Sequence, residues 1–165
     1  MNKFDTLFLD RDGVINIKRE NQYVLRFSDF IFIPGVLFAI RDLSVLFKRI
    51  IIVTNQQGIG KGLMSEEDLD LVHKKMIVEI KDAGGRIDKI YYCPHLESKD
   101  CKCRKPRVGM LEEAFYDFPS IDTTNSYKIG DSNSDIQAGK SKSLNTVKVD
   151  NQYTLSSWTR DILKI

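Results

Sequence analysis

Three short apolar runs that each end in polar or acidic residues constrain this 165-residue chain more than anything else in it. They are Thr6-Leu7-Phe8-Leu9-Asp10, Arg49-Ile50-Ile51-Ile52-Val53-Thr54 and Ser126-Tyr127-Lys128-Ile129-Gly130-Asp131. Short apolar runs of this kind read as strands of a parallel sheet covered on both faces. Between them lie helical segments: one near Gly35 to Phe47, one opened by Ser65-Glu66-Glu67-Asp68 and running to Gly84-Gly85, and one near Val108 to Phe118. Ile87 to Tyr92 supplies a further strand and Asn133 to Ser141 a further helix. Thr146 to Val149 supplies a last strand before a short tail containing Trp158. This alternation predicts an α/β fold built on a doubly wound parallel sheet. Residues 14 to 33 and 93 to 107 break the alternation. The first mixes charge with Tyr23, Phe27, Phe30 and Phe32 and reads as a flap or hairpin over the sheet. Both segments start where strands end, which makes them candidate walls of a ligand site.

Composition bounds the rest. Hydrophobic residues make up 42% of the chain, enough for one domain over residues 1–165 and too little length for two. Charged residues reach 29% yet nearly cancel at a formal +2, so the totals carry neither a nucleic-acid footprint nor a polybasic membrane anchor. Met1 to Asp5 hold no apolar signal core, and no stretch approaches the run of about 18 apolar residues that a membrane span needs. A soluble, cytoplasmic monomer acting on a small molecule is the expectation.

Asp10-Arg11-Asp12-Gly13 follows the first strand directly, and residues two apart on an extended backbone point the same way. Both carboxylates can therefore meet one substrate. A carboxylate attacks phosphorus when a divalent cation offsets its repulsion from a phosphate dianion, and a second carboxyl group can protonate the leaving oxygen. Taken alone, Asp-x-Asp-Gly is also an ordinary surface turn. The second strand opens into Thr54-Asn55-Gln56-Gln57-Gly58, hydroxyl and amide donors suited to phosphoryl oxygens, or merely to capping a strand. In Arg104-Lys105-Pro106 the lysine can neutralise phosphoryl charge and the arginine fork can grip an oxyanion. Asp131 stands at the end of the Ile129-Gly130 strand as a magnesium ligand facing Asp10, while Asp135 is either a first-turn acid of the next helix or an orienting group.

Asp10-x-Asp12-Gly13, Thr54, Lys105 and Gly130-Asp131-x-x-x-Asp135, in that order, resemble the four motifs of the haloacid dehalogenase (HAD) phosphatases. The resemblance spans roughly residues 5 to 150 and implies a capless, HAD-like Rossmannoid enzyme using Mg2+. It implies Asp10 as nucleophile and Asp12 as acid and base with its backbone carbonyl on the metal. Thr54 and Lys105 become phosphoryl-stabilising groups, and Asp131 the other magnesium ligand.

All the cysteines fall within eleven positions, in the pattern Cys93-x-His95-x5-Cys101-x-Cys103. Three thiolates and one imidazole with no open position suit a structural, tetrahedral Zn2+ that would fix Arg104 and Lys105. The loop narrows the resemblance to a branch holding heptose 1,7-bisphosphate phosphatases and histidinol-phosphate phosphatases. Asn55-Gln56-Gln57-Gly58-Ile59 and Phe32-Ile33-Pro34-Gly35-Val36 are similar to the former, and the compact spacing from His95 to Cys101 to the latter. Ser132 departs from the lysine often found beside the magnesium aspartate in the heptose enzymes. A heptose bisphosphate would place its second phosphate and hydroxyls against Arg104, Lys18, Arg19, Asn21, Gln22 and Tyr23, with Asn55, Gln56 and Gln57 also in contact. Histidinol phosphate, with its cationic amine, would instead draw on Glu20 and Asp29. A phospho-receiver signalling domain also gathers aspartates, a threonine and a lysine, but its acceptor ends the third strand. A zinc-stabilised binding module leaves the grouping of Asp10, Asp12 and Asp131 unexplained.

Overall fold

The computed structural model describes residues 2–165. It contains strands β1 (Phe4–Leu9), β2 (Phe47–Asn55), β3 (Lys89–Cys93), β4 (Tyr127–Gly130) and β5 (Asn145–Lys148). The helices are α1 (Val36–Leu46), α2 (Glu66–Asp82), α3 (Gly109–Asp117), α4 (Asn133–Ser141) and α5 (Leu155–Ile162). The strands form one sheet in the order β3-β2-β1-β4-β5, with all pairings parallel. The apolar runs are continuous because both faces are covered. Leu7, Leu9, Ile50 and Ile52 join a core with Val36, Ile40 and Leu43 of α1, Val72 and Met76 of α2, and Trp158 of α5. Phe8, Ile51 and Val53 point the other way, against Met110, Leu111 and Ala114 of α3 and Ala138 of α4.

Local signals set the helix ends. Ser65 Oγ accepts from Asp68 N–H at 3.0 Å while Asp68 Oδ2 accepts from Ser65 N–H at 2.8 Å, so α2 begins where its capping residues stand. The tail with Trp158 is a helix, α5, opened by a second capping box between Thr154 and Ser157. The cue is a threonine followed three residues on by Ser157 rather than by an acid or amide, which is why the segment reads as a tail. Residues 14–33 form no hairpin. They hold one 3-10 turn at Phe27–Asp29 and isolated bridges from Asn16 to Asp12 and Phe32. Val14, Ile15, Val24 and Phe30 are buried in the main core, so apolar anchoring shapes this segment rather than strand pairing.

The order 3-2-1-4-5 reverses direction between β1 and β4. Connections leave the sheet on opposite sides there and open a crevice beyond the carboxyl ends of these two strands. Asp10 follows β1 and Asp131 follows β4, and the Asp10 N–H donates to the Ile129 carbonyl at 3.0 Å.

Candidate active site

A polar cavity of about 250 Å³ lies at this switch point. Its lining includes Asp10, Asp12, Asp131, Lys105 and Arg104, and the amides Asn55, Gln56 and Gln57. Lys18, Arg19, Gln22 and Tyr23 from the 14–33 segment form the opposite wall. Asn21 and Thr54 of the expected set are not among the lining residues. Asn21 adopts a left-handed backbone (φ 55°). Thr54 is fully buried, and its hydroxyl accepts from Gln56 Nε2 at 3.0 Å. Val24 and Ser134 line the cavity unanticipated, and Ser132, beside Asp131, lines it as well.

Asp10 sits at the cavity floor with 8% of its surface exposed. Its Oδ1 accepts from Arg11 N–H at 2.8 Å and lies 3.1 Å from Lys105 Nζ. Burial pushes Asp10 up to about 6, against the pull of Lys105. Asp12 is gripped on both oxygens. Arg11 Nη2 and Asn16 Nδ2 each donate to Oδ1 at 2.9 Å, and Gln56 Nε2 donates to Oδ2 at 2.9 Å. Burial raises Asp12, but Arg11 and these bonds outweigh it and hold the carboxyl below its usual range. Arg11, alternating inward between the two aspartates, is fully buried and meets His73 Nε2 at 3.1 Å. Burial and the guanidinium depress His73 to about 3, so the ring is neutral and accepts from the arginine.

Asp131 Oδ1 is buried with no hydrogen-bond partner among the described residues, and Oδ2 accepts from Lys18 Nζ at 3.2 Å. Carboxylate oxygens of Asp10, Asp131 and Asp135 fall within 4.8 Å of one another. A bare buried oxygen beside a second carboxylate is a donor set that fits a hard divalent cation. Gly13 makes this approach possible: its φ is +84°, and a β-carbon there would overlap the Asp131 carboxylate.

Asp135 is an orienting group as well as a first-turn acid. Fully buried, it accepts from Lys105 at 2.6 Å and Lys128 at 2.9 Å on Oδ1, and from Ser132 at 2.8 Å on Oδ2. Burial pulls Lys105 down, yet Asp10 and Asp135 more than reverse this and hold it charged. Asn55 clamps the same lysine's backbone: its Oδ1 accepts from Lys105 N–H at 3.1 Å. Gln57 donates to the Tyr23 hydroxyl at 3.0 Å and accepts from Glu97 N–H at 3.3 Å, joining three loops around the rim. Arg19 is spent internally, on Gln22 at 2.6 Å, the Tyr23 carbonyl at 3.2 Å and Asp29 at 3.3 Å. Arg104 Nη1 is buried with no hydrogen-bond partner among the described residues.

Behind this wall Cys93, His95, Cys101 and Cys103 converge, their candidate ligand atoms all within 4.8 Å of one another. Cys93 ends β3 and Cys103 precedes Arg104, so the cluster ties the basic loop to the sheet. Three sulfurs and one imidazole nitrogen form a group able to hold a metal ion.

Sequence reasoning missed Lys128, Arg11 and His73. A lysine inside an apolar strand is a visible signal for the first, and an arginine alternating inward between two outward aspartates for the second. Nothing local marks His73.

The family model for polynucleotide kinase 3 phosphatase matches residues 5–158. D-glycero-alpha-D-manno-heptose-1,7-bisphosphate 7-phosphatase of Campylobacter jejuni is 42% identical over 150 residues, covering 91% of this chain and 84% of that protein. D-glycero-beta-D-manno-heptose-1,7-bisphosphate 7-phosphatase of Photorhabdus laumondii is 41% identical over 147 residues, covering 85% and 77%. The crystal structure of D,D-heptose 1,7-bisphosphate phosphatase from B. bronchiseptica, complexed with magnesium and phosphate, superposes with a TM-score of 0.83. It is 26% identical and covers 97% of this chain and 98% of that one. With the match spanning nearly the whole chain and the aspartates gathered at the switch point, the chain belongs to the polynucleotide kinase 3 phosphatase family and is a HAD-type phosphatase.

Proposed function

We propose that this enzyme removes the 7-phosphate of a D-glycero-D-manno-heptose 1,7-bisphosphate through an aspartyl-phosphate on Asp10. The observation that carries the chemistry is a buried carboxylate at the floor of an open polar cavity, 3.1 Å from an ammonium and across from the bare oxygen of Asp131. An Asp10 oxygen attacks phosphorus, and the sugar oxygen leaves with a proton from Asp12. Asp12 then takes a proton from water, which attacks phosphorus, frees inorganic phosphate and restores Asp10. Asp12 is ionised in the ligand-free site, so its proton depends on the incoming phosphoryl dianion, whose charge raises its proton affinity. Asp10, Asp131 and the Asp12 carbonyl would hold Mg2+, which offsets repulsion between the carboxylate and the phosphate. Lys105 carries phosphoryl charge, and Thr54, tied to Gln56, supports Asp12 from behind. A structural Zn2+ on Cys93, His95, Cys101 and Cys103 would fix the loop bearing Arg104 and Lys105. Free thiol ligands of this kind suit a cytoplasmic enzyme.

The relatives' names support the substrate, and so does the cavity. Lys18 and Arg104 line it, and Arg104 Nη1, buried with no hydrogen-bond partner among the described residues, is a donor that a second anion would satisfy. The acids that would favour histidinol phosphate are elsewhere: Asp29 is paired with Arg19 and Arg26, and Glu20 lines a neighbouring cavity with Ile17, Ile33 and Val149. Initial rates on the heptose bisphosphate, its monophosphate and histidinol phosphate at one magnesium concentration test the proposal. Preference for the bisphosphate is expected; preference for histidinol phosphate would overturn the substrate and leave the aspartate chemistry standing.

A further inference from the structure

Strand β4 carries Lys128 at its second position, a lysine with no exposed surface. Removing an ammonium from water costs several kcal/mol, so a buried lysine persists only where it is paired. Lys128 Nζ donates to Asp135 Oδ1 at 2.9 Å and to the Ile129 carbonyl at 3.1 Å. The space for it is built into the fold. On α4, a β-carbon at Gly139 would press on the Lys128 stem at 2.9 Å, and one at Gly130 would overlap the Asp135 side chain.

The pair continues into the site. Asp135 Oδ1 also accepts from Lys105, and Lys105 reaches Asp10 Oδ1 at 3.1 Å. Cation and anion therefore alternate: Lys128, Asp135, Lys105, Asp10. Two ammoniums balance two carboxylates before any ligand arrives. Without Lys128, Lys105 would have to serve both Asp135 and Asp10 by itself within this chain of groups, leaving the chain with a net negative charge where a phosphoryl dianion must bind. A methionine would fill the same stem space without restoring the balance.

We propose that Lys128 is a positioning residue that neutralises Asp135, leaving the charge of Lys105 free for Asp10 and the phosphoryl group. The inference rests on the phosphatase reading above and adds a residue outside the motifs that carry that reading. Burial and the neighbouring Lys105 pull Lys128 below the usual lysine range, with Asp135 and Asp10 pulling it back up. Burial pushes Asp135 up, but Lys128 and then Lys105 reverse this and hold it well below the usual carboxylate range. The groups facing Asp10 are Lys105, Asp135, Lys128 and Asp12, with Lys18 also acting on it; the ammoniums of Lys105 and Lys128 offset Asp10 and Asp135, and the Arg11 guanidinium offsets Asp12.

The test is binding of inorganic phosphate, measured by isothermal titration in the presence of magnesium, so that turnover is not the readout. The proteins are wild type, Lys128→Met and Lys128→Gln. Losing one compensating charge several ångströms away, at an effective dielectric of about 20, weakens phosphate binding in Lys128→Met by about tenfold or more. Lys128→Gln, which keeps a hydrogen bond to Asp135 without the charge, is weakened to a similar extent. A lysine that only fills space and hydrogen-bonds would instead let Lys128→Gln bind phosphate like wild type. That result, or unchanged phosphate affinity in folded Lys128→Met, overturns the proposal. Should the methionine variant not fold, Lys128→Gln against wild type gives the same reading. Wild type that binds no phosphate would sink the phosphatase reading, and this inference with it.

Discussion

Replacing Asp10 by Asn should stabilise the metal-free protein while abolishing turnover. Burial raises the Asp10 carboxyl from 3.8 to about 6, so the folded state binds a proton more tightly than the unfolded chain does. The contribution of such a group is fully present below its unfolded value of 3.8 and is lost as pH rises through about 6. At neutral pH the folded protein therefore holds an anion it would rather not hold. At about 1.4 kcal/mol for each tenfold change in proton affinity, the cost from 3.8 to about 6 is roughly 3 kcal/mol. An amide keeps the shape without the charge, and Lys105 retains Asp135 as a partner at 2.6 Å. Each kcal/mol moves Tm by roughly 2–4 °C in a chain of this size, so Asp10→Asn should melt well above wild type at pH 8. The gain should fade at pH 4, where wild-type Asp10 is itself protonated. It should also shrink when magnesium is added, because a bound cation removes the penalty on the wild-type carboxylate. Calorimetry or chemical denaturation of both proteins at the two pH values provides the measurement. An Asp10→Asn protein no more stable than wild type at pH 8 without metal would refute the claim that burial dominates at the nucleophile.

His73 acts in the opposite direction: its folded value of about 3 lies below 6.5, so its stabilising effect is complete above pH 6.5 and is lost as pH falls. In an Asp10→Asn background, lowering pH from 8 to 5 should cost about 2 kcal/mol that His73→Gln does not lose, as denaturant melts will show. Cys101→Ser should reduce zinc below one atom per chain by elemental analysis and destabilise the protein on the order of several kcal/mol, with faster proteolysis between residues 93 and 107. Arg104→Ala should lower kcat/KM on the bisphosphate by about tenfold to a hundredfold while sparing the corresponding monophosphate, since its free guanidinium nitrogen serves the second anion.

Most of the fold and the motif residues are legible in the chain, for identifiable reasons. Strand-length apolar runs and the Ser65–Asp68 box are local signals, and they placed the elements to within a few residues. Asp10, Asp12 and Asp131 follow because a parallel sheet brings strand ends together, and Lys105 follows in the loop between β3 and α3 that the cysteine pattern marks. The course of residues 14–33 is not legible, because scattered apolar anchors such as Val24 and Phe30 fix it through long-range burial. Two assignments turn on hydrogen bonds that no spacing announces. Thr54 faces Gln56 rather than the cavity, and Arg19 spends its donors on its own loop. Asp135 and Lys128, seven residues apart, reveal their pairing only when α4 packs back on β4.

The aspartyl-phosphate on Asp10 is tested most directly by trapping it. Enzyme mixed rapidly with magnesium and the phosphorylated sugar, quenched in acid and reduced with borohydride converts an acyl phosphate to the corresponding alcohol, which peptide mass spectrometry locates. The mechanism predicts homoserine at position 10, absent without substrate and absent in Asp10→Asn. Phosphate release with position 10 unreduced, or reduction at position 12 instead, would contradict it.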